Sequence, residues 1–177
     1  MTTQVERKKE TVQEETVSSV RALVLRALAD CARKRGAGDA YVLELLRQGD
    51  GEALGYFRYA VAREAGAFAA QQDPTIQDVY VVEAGSDPDE QPRPTSFLTV
   101  IVVVREVTAA TRSLWTWISD RVTAEYKALL DAPQVAQMGS LLDVHLVTET
   151  EVQQRSGMAV LVSSLYTPAL PVWQRGG

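Results

Sequence analysis

Asp143 and His145 are the two residues of this sequence whose types and spacing could support acid–base chemistry. They lie within residues 141–147, LLDVHLV, where the alternation of side chains predicts a β-strand. Because successive strand residues point to opposite faces, Asp143 and His145 share one face, and the carboxylate could orient the imidazole as a general base. Pairs of this kind more often lie on a half-exposed sheet face or bond to a neighbouring loop, so both interpretations stay open.

The number and placement of the cysteine, histidine and serine residues exclude several kinds of site. The chain has one cysteine, Cys31, and one histidine, which leaves no disulfide within the chain and no zinc site built from these residues. Cys31 lies on the apolar stripe of a predicted helix and is interpreted as a small buried hydrophobe. The serine pairs at 18–19 and 163–164 fall on predicted helices with no base motif beside them, so no serine nucleophile is indicated.

Charge and hydropathy narrow the partners that the chain is expected to have. The formal net charge is -5, with 23% charged residues, which argues against a surface built for nucleic acid. No apolar run is long enough to span a membrane, and the charged N-terminus is unlike a signal peptide. We therefore expect a cytoplasmic protein with no membrane and no nucleic-acid partner.

Three predicted strands and the helices around them must position these side chains. An unbroken apolar run at residues 97–104, FLTVIVVV, predicts a central strand that is covered on both faces. Shorter or alternating runs predict its neighbours at 78–82 and 141–147. The final apolar stretch, LPVW, could add an edge strand. Apolar residues spaced three and four apart predict the helices: one from about Thr11, a short second one, and others at 52–71, 110–130 and from Thr148 to about 165.

The order of these elements predicts an α+β fold in which a small mixed sheet is flanked by helices. Leu23 and Leu25 lie off the apolar stripe of the first helix, which leaves more apolar surface than one packing face covers. We therefore expect the N-terminal helices to cover the sheet domain and to contribute to a homodimer or a protein-partner contact. The expected division is a disordered tail at 1–10, an N-terminal helical extension at 11–50 and the α+β domain at 52–177.

A short apolar strand at residues 79–82 (VYVV) is followed by the Gly85-Ser86 pair and then by the apolar strand SFLTVIVVV. This arrangement resembles the nucleotidyltransferase superfamily, in particular its small stand-alone members related to DNA polymerase β. The resemblance covers about residues 52–177 and implies the family's fold. It also implies that Gly85 and Ser86 contact a nucleotide, and that the later strand LLDVHLV supplies a metal-binding carboxylate, Asp143.

At the metal-binding positions the sequence departs from the family's pattern. Phe97 and Thr99 stand where the resemblance places the two aspartates of an Asp-x-Asp pair, and only Asp143 matches a carboxylate. Phosphoryl transfer needs such carboxylates to hold Mg²⁺ against the triphosphate. We therefore expect no nucleotidyl transfer and no cofactor, with Thr99, Asp143 and His145 as the remnant of the site.

Three functions stay open on this basis. The first is a catalytically inactive nucleotidyltransferase-like protein with a binding or scaffold role, favoured because order and spacing are retained while metal ligands are lost. The second is an active Mg²⁺-dependent nucleotidyltransferase with non-standard ligands, namely Asp143 and loop acids such as Asp87 or Asp89. The third is an unrelated α+β protein.

Overall fold

The computed structural model describes residues 2–82, 91–166 and 168–176, with side chains from Ser19 onward. The helices are α1 (Thr2–Arg35), α2 (Asp39–Gln48), α3 (Gly51–Gln72), α4 (Ala109–Leu130), α5 (Pro133–Ala136), α6 (Glu149–Gln154) and a 3₁₀ helix (Gly157–Ser163). The strands are β1 (Ile76–Val82), β2 (Leu98–Val104), β3 (Leu142–Thr148) and β4 (Leu170–Gln174). No described helix has both the length and the apolar character needed to cross a membrane.

The described strands form one mixed sheet in the order β3-β2-β1-β4. β2 pairs antiparallel with β1 and parallel with β3, and β4 pairs antiparallel with the outer side of β1. The expected α+β class is confirmed, and so is the central position of the apolar strand between the strands predicted at 78–82 and 141–147. The LPVW stretch is the predicted edge strand, β4.

Two unequal layers cover β2, which explains its unbroken apolar sequence. Val100, Val102 and Val104 belong to the main core, which also contains side chains of α1, α2, α3 and α4. Ile101 and Val103 face the opposite way, into a smaller cluster with side chains of α6 and the 3₁₀ helix. Successive side chains of a strand point to opposite faces. When both faces are covered, nearly every residue is apolar, and the sequence lacks the usual alternation of polar and apolar residues.

Helices α1 and α2 pack mainly against α3 and α4, the helices that lie over the sheet. Leu23 is fully buried in the main core, whereas Leu25 is 46% exposed. Of the two leucines that carried the predicted apolar surplus, only Leu25 is therefore exposed. Helix α1 begins at Thr2, not near Thr11, which differs from the disordered tail expected at 1–10. Residues 2–10 contain no glycine or proline and several strong helix formers, so nothing in this segment ends the helix.

The helix predicted from Thr148 to about residue 165 is much shorter in the structure. Its start is as expected, because Thr148 and Glu151 form a reciprocal capping box. It ends at Gln154, where Arg155 and Gly157 adopt left-handed conformations with φ of 52° and 54°. These turns redirect the chain into the 3₁₀ helix, which lies over the second face of the sheet.

Helix α3 approaches the sheet closely at Gly66. A Cβ atom at this position would lie 3.1 Å from Cγ2 of Val79 and 3.3 Å from Cβ of Trp173. Gly55 lies on the same helix, and a Cβ atom there would have no neighbour within 4 Å. Glycine at 66 thus sets the distance between α3 and strands β1 and β4.

We predict that Gly66→Val destabilises the protein by about 1–3 kcal/mol, because the added methyl groups overpack the helix–sheet contact. Gly55→Val is the matched control and should change the free energy of unfolding by less than about 0.5 kcal/mol. Urea denaturation of both variants measures the difference. Equal stabilities would show that α3 can move away from the sheet without cost.

Candidate functional site

The sheet positions singled out by the resemblance meet at one end of the sheet. β2 and β3 begin at this end, and β1 ends there. Thr99 is in register with Asp143 on one side and with Val82 on the other. Phe97 immediately precedes β2 and is 49% exposed. Thr99 and Asp143 are thus adjacent on the sheet face that also carries the smaller apolar cluster.

Asp143 and His145 are in direct contact on this face. Oδ2 of the carboxylate lies 2.8 Å from Nε2 of the imidazole. The side chains are 48% and 32% exposed, respectively, so water reaches both. No described residue bonds to the other ring nitrogen, Nδ1. The carboxylate can fix the ring orientation, but solvent access weakens the electrostatic effect of the pair.

The described residues do not supply a metal site of the kind that the resemblance implies. Within residues 2–82, 91–166 and 168–176, no group of three or more histidine, cysteine, aspartate or glutamate side chains is placed to hold a metal ion. The strand neighbour of Asp143 at this end is Thr99, a hydroxyl and not a second carboxylate. Mg²⁺ prefers several oxygen ligands in octahedral geometry, which Asp143 and Thr99 do not complete. Gly85, Ser86, Asp87 and Asp89 lie outside the described residues.

Arg58 is a buried charged residue that the sequence analysis did not single out. It lies on α3 and is only 5% exposed. Its Nε and Nη2 atoms are buried and have no hydrogen-bond partner among the described residues. Burial lowers the pKa of the guanidinium, while the nearby Tyr126 opposes this effect. A buried cation without a partner is costly in free energy, so Arg58 is expected to lower the stability of the fold.

Tyr126 of α4 lies near Arg58 and is itself held in place by two contacts. Its ring stacks on Phe57 with the centroids 5.9 Å apart. Its hydroxyl donates a hydrogen bond of 2.7 Å to the carbonyl of Pro94, in the segment before β2. Burial raises the pKa of Tyr126 to about 12, although the charge of Arg58 opposes the rise. The hydroxyl therefore stays protonated at neutral pH and its hydrogen is committed to Pro94.

The sequence does contain a signal for Arg58. It lies four residues after Leu54 and three before Val61, two of the apolar residues whose spacing predicts the helix at 52–71. A charged residue at stripe spacing is either at the margin of the stripe or buried within it. The sequence alone does not distinguish the two, because arginine can extend its charged end to solvent.

A groove of about 420 Å³ lies between α1, α3 and the start of β4. Tyr56 and Tyr59 contribute aromatic wall, and the ammonium of Lys34 lies 5.1 Å from the centre of the Tyr56 ring. Cys31 also lines the groove but is buried, which raises the pKa of its thiol and confirms it as a small core residue. The groove therefore combines aromatic and charged side chains, which are suited to binding a ligand or a partner.

We predict that Arg58→Met increases the free energy of unfolding by about 1–3 kcal/mol, because an unpaired buried charge is replaced by an apolar side chain of similar length. Arg21→Met, at an exposed position of α1, is the control and should have an effect below about 0.5 kcal/mol. The measurement is urea denaturation in a buffer without phosphate or sulfate. A loss of stability in Arg58→Met would show that the guanidinium makes stabilising contacts.

A comparison of the chain with protein-family models found no match. Comparisons with curated proteins and with solved structures also found none. The nucleotidyltransferase resemblance therefore remains a hypothesis that rests on the residues quoted for it.

Proposed function

We propose that this chain is a nucleotidyltransferase-like protein that has lost catalysis and acts in binding or as a scaffold. The observation that carries this proposal is the set of side chains at the common end of β1, β2 and β3. Phe97, Thr99 and Asp143 occupy the positions that the resemblance assigns to three carboxylates, and one carboxylate remains.

The surroundings of Asp143 support the loss of metal chemistry. Its Oδ2 atom is engaged by His145, and the phenyl ring of Phe97 offers no ligand atom. A Mg²⁺ ion at this position would have to replace the imidazole contact and take most of its ligands from water. Phosphoryl transfer depends on positioned metal ions that neutralise charge, so this arrangement favours a non-catalytic role.

A binding role is supported by surfaces away from the sheet end. The groove between α1 and α3 combines aromatic walls with charged side chains. Leu165 and Tyr166, which follow the 3₁₀ helix, are almost fully exposed. Exposed apolar side chains of this size are typical of surfaces that bind other proteins. We also propose a cytoplasmic location and no nucleic-acid partner, in line with the net charge of -5 and the single cysteine.

The proposal predicts that the protein does not turn over ATP in the presence of Mg²⁺ or Mn²⁺. The Asp143→Ala variant should behave in the same way, and calorimetry should detect no metal-dependent nucleotide binding in either protein. Metal-dependent turnover in the wild type that disappears in Asp143→Ala would contradict the proposal. It would favour the alternative of an active enzyme with non-standard ligands.

A double substitution tests whether only the ligands were lost. Phe97→Asp with Thr99→Asp restores the family's carboxylates beside Asp143, and we expect it to bind Mg²⁺ at least tenfold more tightly than the wild type. The matched control is Phe97→Asn with Thr99→Asn, which has nearly the same shape without the charges. If both double variants bind Mg²⁺ equally weakly, the sheet end does not have the family's geometry, and an unrelated α+β protein becomes the better description.

A further inference from the structure

Strand β3 forms an edge of the sheet, because its neighbour among the described strands is β2 alone. The N–H of Leu98 donates to the carbonyl of Leu141 at 2.8 Å. The backbone groups of one residue point to the same side of a strand, and this side alternates along the chain. The odd-numbered residues of β3 therefore face β2, whereas Leu142, Val144 and Leu146 direct their backbone groups outward.

Among the residues that the structure describes, one of these outward groups has a hydrogen-bond partner. The carbonyl of Leu142 accepts hydrogen bonds from the hydroxyls of Ser119 and Ser140, at 3.0 and 2.8 Å. The N–H of Leu142 and both backbone groups of Val144 and Leu146 form no hydrogen bond with any part of the chain that the structure describes. Unpaired edges of this kind are templates for pairing with another strand.

The sequence of β3 is complementary to itself about Val144. In an antiparallel pair of two copies centred on this residue, Val144 lies opposite Val144 and Leu142 lies opposite Leu146. Asp143 of each copy then lies opposite His145 of the other, so a carboxylate faces an imidazole on both sides of the two-fold axis. These are non-hydrogen-bonded positions, where cross-strand side chains come closest, at a Cα separation of about 4.5 Å.

Helix α4 carries a second charge pattern with the same centre. Arg112, Thr116 and Asp120 are exposed, recur every four residues and line a groove of about 350 Å³ between α4 and β3. The helix connects two parallel strands, so it runs antiparallel to β3, with Asp120 near Leu142 and Arg112 towards Leu146. A two-fold axis at Thr116 would place Arg112 of each copy opposite Asp120 of the other.

The two patterns have matching lengths. From Arg112 to Asp120 the helix rises about 12 Å, at 1.5 Å per residue. From Leu142 to Leu146 the strand extends about 13 Å, at about 3.3 Å per residue. One two-fold axis that passes between the two copies of Val144 and between the two copies of Thr116 can therefore serve both layers. Neither Arg112 nor Asp120 forms an ion pair with another described residue, so both charges are available to a second copy.

The floor of this groove is suited to burial by a second copy. Val144 and Leu146 are only half-buried, although they are apolar and lie beside the core. Trp115, which also lines the groove, has a buried indole N–H with no acceptor among the described residues. We propose that the protein forms a two-fold symmetric homodimer through β3, with Arg112–Asp120 and Asp143–His145 contacts between the subunits and one continuous sheet across them.

Charge reversal at the helical pair tests this interface. In Arg112→Asp, and equally in Asp120→Arg, like charges face each other across the two-fold axis, which disfavours association. The wild type should have twice the mass of 19.4 kDa by light scattering. Each variant should show at least a tenfold higher dissociation constant. Mixing the two variants in equal amounts restores both opposite-charge pairs and should restore the dimer.

Arg21→Asp makes the same charge change on α1, outside the groove, and should leave the dimer unchanged. Circular dichroism of all variants checks that the fold is retained. A wild type that stays monomeric at about 100 μM, where even a weak dimer with a micromolar dissociation constant would form, would overturn the proposal. So would single variants that dimerise like the wild type, or a mixture that fails to associate.

Cross-linking gives an independent measurement of the register. Val144→Cys places two thiols at the two-fold axis with a Cα separation of about 5.5 Å, within the range for a disulfide. Oxidation should therefore yield a covalent dimer of this variant. Leu25→Cys, at an exposed position of α1, is the control and should cross-link poorly, while Cys31 is buried and contributes little background. Equal cross-linking of both variants would argue against pairing through β3.

Discussion

The burial of β2 on both faces is the constraint from which the rest of the structure follows. Five of its seven residues are valine or isoleucine, and the face towards α3 and α4 is fully covered. The opposite face must be covered as well, and the short 3₁₀ helix and α6 do this only for Val82, Ile101, Val103 and Val147. The end of the sheet at Thr99 and Asp143 is left outside this cover, which is why polar side chains occur there.

The parts of the fold that depend on local pattern could be predicted from the sequence. The strand at 97–104 is visible because its apolar residues are continuous, and the capping box at Thr148 is visible because both of its members lie in one turn. The early end of α6 was not predicted, since Arg155 is a good helix former, yet it adopts a left-handed conformation with φ of 52°. The same holds for Arg58, whose burial depends on packing between distant elements that brings Tyr126 of α4 close to it.

In the candidate site as well, one feature follows from the local sequence pattern and another depends on pairing between distant strands. Alternation along β3 predicts that Asp143 and His145 share a face, and the structure brings them to 2.8 Å. The register that sets Thr99 beside Asp143 depends on pairing between distant strands, which one sequence does not specify. Side-chain identity at these positions is independent of register.

The pairing of β4 with β1 has a consequence for how the chain folds. Tyr80 pairs with Pro171, so nearly all of the chain between the two strands must be in place before this edge can close. During synthesis on the ribosome the helices and the first two strands are available well before β4, and the outer side of β1 stays open in the meantime. Such delayed closure exposes Val79 and Val81 to other nascent chains. We expect the protein to depend on chaperones most strongly during this interval.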